Sequence, residues 1–303
     1  MLKLGKKFSK PNLSRIINGD VSLIKAPELT PKIRLDLLLL KYYPSYNRST
    51  LQKFITAGYV KVNNEVALKA NLKFSPDVKI ELLLPKKPKN SDLKPTIIYE
   101  DDNVLVLNKP VGLLSMPRSK VCPEKTLEDY GLLVHRLDRA TSGIIILAKN
   151  LSTQEFLRKQ FQSRTTHKIY YAIVIGHPKL NEAKIDLPIA RNFKRPTTFC
   201  IDPNGKPAET DYKVLEHSHK FSLLELKPKT GRTHQLRVHL QYLGTPILGD
   251  PLYGGVFQSI LPMPPKFSRL YLHAYSLEIT LPGGIRQTFT APLPKDFKFP
   301  LKG

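Results

Sequence analysis

Between Leu84 and Thr96 the chain reads Pro85-Lys86-Lys87-Pro88-Lys89-Asn90-Ser91-Asp92-Leu93-Lys94-Pro95. Three prolines fix φ and remove backbone donors, so neither a helix nor a central strand passes through this stretch. It therefore reads as an extended, charged linker over residues 85–95. What remains is a basic tail over 1–25, a small unit over 26–84 and a larger unit over 96–303. For 303 residues two domains are the ordinary expectation.

The small unit and its tail carry a disproportionate charge. The whole chain has 48 Lys and Arg against 25 Asp and Glu, a net +23. Residues 1–90 hold 18 of the basic and 6 of the acidic residues. Self-repulsion of that size opposes compaction, so a polyanionic partner is the natural counterpart. Membrane insertion is excluded from expectation, because the longest apolar runs (Leu37–Leu40, Ile144–Leu147) fall far short of the roughly 18 residues a span needs. The start MLKLGKKFSKPN has no apolar h-region for a secretory signal. Cys122 and Cys200 form neither a CxxC pair nor a zinc spacing, which fits reduced thiols in a cytoplasmic protein.

Within the small unit, KIRLDLLLLKYYP predicts a helix stopped before Pro44. Asn47 to Thr50 can cap a second helix, LQKFITA, which ends at Gly58. Val60-Lys61-Val62 then alternates, Asn63-Asn64 can turn the chain, and VALKA and KIELLL follow as short strands. Arg48-Ser49 with Ile55, Gly58, Val60, Val62 and Asn63 resembles the RNA-binding domain shared with ribosomal protein S-four. That resemblance implies two helices presenting basic side chains, here Arg48 and Lys53, to folded RNA. Asn64 stands where that family often has Gly.

The larger unit is strand-rich. Val104–Leu107 and Ile144–Leu147 read as buried strands, and Lys168–Gly176 alternates with Tyr170 and Tyr171 on opposite faces. A helix follows Thr230-Gly231, with Leu236, Leu240 and Leu243 in register and Gly244 at its end. Strands outnumber helices without alternating regularly, which predicts α+β with a mainly antiparallel mixed sheet.

The chemistry concentrates in His135-Arg136-Leu137-Asp138-Arg139-Ala140-Thr141-Ser142-Gly143. Here a carboxylate lies between two arginines, in a loop at the mouth of a buried strand. Flanking cations favour its ionised form. Such a carboxylate either attacks a sugar carbon or simply closes a salt bridge, and the residues alone leave both open.

HRLDxxTSG is the signature of RluA-type pseudouridine synthases, and further blocks resemble that family in order. They are Lys168-Ile169-Tyr170 with Ala172, Val174 and Gly176; Lys206–Tyr212; Thr230–His239; Gly249-Asp250-Pro251 with Tyr253-Gly254; and Leu272-His273-Ala274. The resemblance spans 96–300. It implies Asp138 as catalytic aspartate, Tyr170 as the tyrosine stacking on the target base, and Arg232 as the arginine pairing with the aspartate. Leu236 is expected against the uracil, and Arg136 in the space that the extruded base vacates. His135 is expected at the substrate. Arg237 faces either a phosphate or an inner acidic partner, and Asp250 is expected to serve a turn. After Asn108-Lys109-Pro110, relatives commonly carry Gly, apolar residues, His and Pro; Ser115 takes the His place here.

The implied reaction breaks the N1–C1′ bond of uridine, turns the uracil and rejoins it through C5. It needs no redox step, so no cofactor is expected. No metal is expected either, since His234, His239 and His273 lack a zinc spacing. Structured RNA is the expected partner of a monomer: large-subunit ribosomal RNA first, transfer RNA second. A non-catalytic RNA-binding or assembly factor and a hydrolytic nucleosidase are the competing readings.

Overall fold

The computed structural model describes residues 31–83, 92–117, 124–254 and 269–297. The expected basic tail, most of the Pro/Lys linker and Cys122 lie outside the described residues. The chain divides into two compact units, Met1–Leu83 and Leu84–Gly303.

In the first unit, helix α1 (Leu35–Tyr42) follows a short strand, Ile33–Arg34, paired antiparallel with Lys73–Phe74. Helix α2 (Arg48–Thr56) begins at Asn47, whose side chain accepts from the Thr50 N–H at 2.9 Å. That bond satisfies a backbone donor that helix geometry leaves free. Gly58, at φ +78, makes the left-handed exit that a side chain would resist. Leu35, Leu38 and Leu39 of α1 and Leu51, Phe54 and Ile55 of α2 are buried, and the two helices are in contact; each such side chain contributes about 1.5–3 kcal/mol relative to exposure.

Val60–Val62 is the centre of a three-stranded sheet, flanked by Glu65–Val66 and Ile80–Leu82. The expected VALKA strand is thus shorter and starts one residue earlier. Asn63 and Asn64 turn the hairpin with φ of 50° and 69°. Two positive φ values in succession define a tight hairpin turn that Asn tolerates, so Asn64 serves where relatives use Gly.

The second unit is built on a ten-stranded mixed sheet, as an α+β reading requires. Its backbone path runs Glu182–Asp186, Glu209–His217, Phe221–Pro228, His167–Ile175, Leu272–Thr280, Ser142–Ala148, Val104–Lys109 and Thr96–Glu100. Arg286–Thr290 and Leu132–Leu133 pair alongside. Pairing is antiparallel except between Ser142–Ala148 and Leu272–Thr280. At that parallel contact Gly143 opposes Ala274, and a Cβ on Gly143 would collide with the Ala274 backbone. The glycine of the TSG triplet is therefore what lets these two strands meet.

Two apolar clusters lie along the sheet. One gathers Val104–Leu107 with Ile144–Ala148, and the other gathers Ala172–Ile175 with Leu236 and Leu240. Tyr170 packs against both. A helix the sequence reading did not foresee, α3 (Leu151–Gln162), starts at the capping side chain of Asn150 and contacts the Ser142–Ala148 strand. Helix α4 (Gln235–Tyr242) ends before Gly244, which has φ +77.

Candidate active site

Asp138 sits in the loop that feeds the Ser142–Ala148 strand, and the backbone on either side of it is clamped by one segment. The Ser115 hydroxyl accepts from the Leu137 N–H at 3.0 Å and donates to the Leu137 carbonyl at 2.8 Å. On the other side, the Arg139 carbonyl accepts from the Gly112 N–H at 2.8 Å and from the Lys109 ammonium at 3.3 Å. Lys109 is fully buried and also donates to the carbonyls of Pro110 and Leu113. Burial pushes its pKa down to about 7, against the opposing field of Asp138. The residue in the usual His place thus acts on the backbone of the aspartate's neighbour.

The arginines beside Asp138 in sequence turn elsewhere. Arg139 pairs with Glu124 at 2.7 Å and donates to the Gly112 carbonyl. Arg136 is exposed, with its nearest recorded partner the Met116 sulfur at 4.0 Å. The cation that meets Asp138 comes from α4: Arg237 Nη1 donates to Oδ2 at 3.2 Å.

This corrects the expectation for Arg232. Arg232, expected to pair with the aspartate, instead donates to the Pro207 carbonyl at 3.0 Å from the rim of the cleft. It precedes the first turn of α4, whereas Arg237 lies on the buried length of that helix. For Arg237, expected at either a phosphate or an inner acidic partner, the second alternative is the one found: Asp250 takes its Nε and Nη2 in a two-pronged pair, both at 2.7 Å. Burial opposes the Arg237 charge, but the Asp250 bonds and the Asp138 field outweigh it and hold the guanidinium above its usual range. Asp250 also accepts from the backbone of Leu252 and Tyr253, so its turn role and its arginine role coincide.

His234, at the N-cap position of α4, completes the surroundings. Its Nε2 lies 3.8 Å from Asp138 Oδ2. Its Nδ1 lies 2.8 Å from the Tyr253 hydroxyl, which already accepts from the Phe199 N–H at 2.8 Å. The Tyr253 hydroxyl thus links His234 to the Phe199 backbone and fixes the orientation of the ring beside Asp138. Burial holds the ring toward its neutral form against the pull of Asp138. Among the described residues no protein group hydrogen-bonds Oδ1 of Asp138, whose side chain is 19% exposed.

Asp138 lines a cleft of about 720 Å³, a size suited to a nucleotide-scale ligand. Tyr170 and Leu236 line it, and Arg136, Arg158, Lys168 and Lys229 give its walls positive charge. The Tyr170 phenol is driven above its ordinary range by burial and by Asp138, so it stays protonated. A β-bulge between Ile169 and Tyr170 shifts the register against Leu272–Thr280. Tyr170 faces the cleft, whereas Tyr171 stacks on Tyr275 at 4.6 Å. Burial brings Lys168 down to about 8, with Lys229 adding to the effect.

Two other expected contacts are partly committed to structure. His135 borders the cleft, but its ring stacks on Phe161 at 4.5 Å and its Nε2 accepts from the Ile146 N–H at 3.2 Å. In the first unit, Arg48 reaches the buried carboxylate of Asp36 at 3.0 Å, which Arg34 and Gln52 also bind. Arg48 remains 48% exposed, so one face is still open to an anion. Lys53 is exposed on α2.

Comparison with known proteins agrees with this geometry. Residues 103–242 match the RNA pseudouridylate synthase family, and residues 33–80 match the S4 domain. A protein of Borreliella burgdorferi named ribosomal large subunit pseudouridine synthase D is 37% identical over 88% of this chain and 87% of its own length. The protein of that name from Escherichia coli K12 is 33% identical over 87% and 88%. Among solved structures, human RNA pseudouridylate synthase domain containing 1 aligns with a TM-score of 0.57 and 33% identity, over 66% of this chain and 84% of that one. A carboxylate with one oxygen held and one free, in a cationic cleft beside a protonated tyrosine, fits what those relatives are named for. With this likeness extending along most of its length, the chain is a member of the RNA pseudouridylate synthase family that carries an S4 domain ahead of its catalytic unit.

Proposed function

We propose that this enzyme isomerises uridines of large-subunit ribosomal RNA, with Asp138 as the group that manages charge at the ribose. The observation that carries this reading is the asymmetry of the Asp138 carboxylate in a residue that lines the cleft: Oδ2 is held by Arg237, while Oδ1 has no hydrogen-bond partner among the described residues. Arg237 orients the side chain and keeps a negative charge favourable there.

The N1–C1′ bond breaks with the electron pair leaving on the uracil, and the sugar carbon becomes electron-poor. The free oxygen answers this by attacking C1′ or by taking the C2′ proton; both routes use the same atom. The uracil then turns and C5 bonds to C1′ as the Asp138–C1′ bond breaks or as Asp138 returns the proton to C2′; the C5 proton is lost to solvent and N1 takes one up. Tyr170 offers a stacking face that offsets part of the few kcal/mol needed to extrude the nucleotide. Leu236, 7% exposed on the cleft wall, restricts the detached ring.

Ribosomal RNA is favoured by the names of the relatives that match along most of the chain, and by the S4 domain at residues 33–80. The basic surplus in residues 1–90 supplies salt-sensitive phosphate affinity. The reading includes action as a monomer in the cytoplasm; among the described residues no helix is long and apolar enough to cross a membrane.

The test uses transcripts of ribosomal and transfer RNA with uridine tritiated at ring carbon 5. Tritium released from ribosomal RNA with the chain intact is the expected result. Release from transfer RNA alone would overturn the substrate, abasic sites would indicate a nucleosidase, and binding with neither would leave an RNA-binding scaffold.

A further inference from the structure

Tyr253 does not line the cleft, yet it meets both side chains that approach Asp138 from α4 and its N-cap. The guanidinium carbon of Arg237 lies over its ring, 4.9 Å from the centre. Its hydroxyl lies 2.8 Å from His234 Nδ1 and accepts from the Phe199 N–H at 2.8 Å. Its own N–H donates at 3.1 Å to Asp250 Oδ1, the oxygen that also takes Arg237 Nη2. The residue is buried.

A phenylalanine would fill the same volume. What the hydroxyl adds is a bridge between two parts of the unit: the ring beside Asp138, and a backbone donor in the hairpin of Ile189–Arg191 and Phe199–Ile201. His234 has a φ of 57°, in the left-handed region that residues other than Gly seldom adopt, and its side chain makes no capping bond to α4. Backbone of this kind persists where surrounding contacts over-determine it. The Tyr253 hydroxyl supplies one such contact, and the edge-on rings of Tyr253 and Phe199, at 5.5 and 5.6 Å from the imidazole, supply two more. Arg237 is fixed in a comparable way. Asp250 holds Nε and Nη2, the Tyr253 ring backs the guanidinium, and Nη1 is left for Asp138.

We infer, granting Asp138 the role proposed for it, that Tyr253 is a positioning residue for the isomerisation: its ring holds Arg237 and its hydroxyl holds His234, so that both meet Asp138 in one geometry. Because Tyr253 is off the cleft wall, its loss reaches the rate and not the grip on RNA. Misplacing a reacting group by a fraction of an ångström is enough to slow a reaction steeply. Burial pushes the phenol up to about 12, so the bridge does not titrate across neutral pH.

The test is single-turnover tritium release by full-length Tyr253→Phe, which removes the oxygen and keeps the ring. The rate at saturating enzyme is expected to fall about tenfold, with the half-saturating concentration at its wild-type value. Tyr253→Leu, which removes the ring as well, is expected to lose at least about 100-fold. Tyr253→Phe combined with His234→Ala is expected to be no slower than His234→Ala alone, because the hydroxyl acts through that imidazole; a merely structural hydroxyl would give losses that multiply. Tyr212→Phe removes another buried hydroxyl, bonded to the Leu180 carbonyl at 3.1 Å, and leaves the rate unchanged. Without any RNA, the ring-nitrogen resonances of His234 are expected to move in Tyr253→Phe and to stay in place in Tyr212→Phe. A wild-type protein that releases no tritium from ribosomal RNA overturns the substrate alone, and the His234 resonances still decide the role of Tyr253. A Tyr253→Phe rate equal to wild type, multiplying losses in the double variant, or unmoved His234 resonances overturns that role.

Discussion

The tripeptide Arg-Leu-Asp occurs twice in this chain, as Arg34-Leu35-Asp36 in the first unit and Arg136-Leu137-Asp138 in the second. In the first, the arginine two residues back folds onto its own aspartate, and Arg48 and Gln52 from α2 bind the same carboxylate. Asp36 is fully buried, its pKa held well below the carboxylate range chiefly by the Arg34 bond. In the second, Arg136 turns to Met116, the partner arrives from 99 residues downstream, and one oxygen of a cleft-lining carboxylate has no hydrogen-bond partner among the described residues. The same three residues therefore make a structural rivet and a reactive group. What separates them is saturation: a buried carboxylate with both oxygens engaged has nothing left for a substrate.

The comparison can be broken at several points. The largest effect is expected from Asp36→Ala, which strands Arg34, Arg48 and Gln52 beside an apolar core. Breaking a buried pair of this kind costs about 3–5 kcal/mol. Hydrogen exchange on the full chain should show that loss in the amides of α1 and α2, with Ser142–Ala148 keeping its protection. Next, Arg237→Lys replaces a planar fork with a single ammonium that cannot hold Asp250 and Asp138 together. Single-turnover tritium release should fall about 100-fold, or about 2.7 kcal/mol, with RNA affinity nearly unchanged.

Ser115→Ala removes both backbone bonds to Leu137. Leaving such buried groups unpaired costs about 1–3 kcal/mol, and turnover should drop about tenfold with little change in KM. The most graded effect is pH. His273 and His135 are held neutral by burial, at about 4 and about 3, whereas the unfolded chain protonates them near 6.5. Between those values the unfolded state binds more protons, so the catalytic unit loses stability as pH falls from about 6.5 toward 4. Asp36 gives up its contribution only below its ordinary value of 3.8. Acid titration followed by site-resolved exchange should therefore open the second unit before the first.

Much of this was legible in the residues. α1, α2 and the Asn63-Asn64 turn followed from capping, periodicity and residues that accept positive φ. The Tyr170 strand followed from alternation, and Asp138 from a loop set before a β-branched run. α3 was not legible because its only buried residues are Thr153 and Leu157, too sparse for a 3.6-residue stripe; the Asn150 cap was its one signal. The exchange of Arg232 for Arg237 has a similar cause. Six consecutive residues of α4, Gln235 to Leu240, are buried. A helix covered all round gives no polar face from which to single out the inner arginine. A buried arginine requires a carboxylate, and the Gly249-Asp250-Pro251 turn contained the candidate. The clamp by Lys109 and Ser115 joins segments about 22–30 residues apart through backbone groups, which no side-chain pattern announces.

The most direct test is Asp138→Asn, assayed for tritium release from C5-labelled ribosomal RNA beside a thermal melt and an RNA-binding isotherm. The amide keeps the shape and the Arg237 contact but removes the free anionic oxygen. Release should fall by at least about 1,000-fold, with melting and affinity close to wild type. Turnover at the wild-type rate in a folded, RNA-binding Asp138→Asn protein would contradict the account.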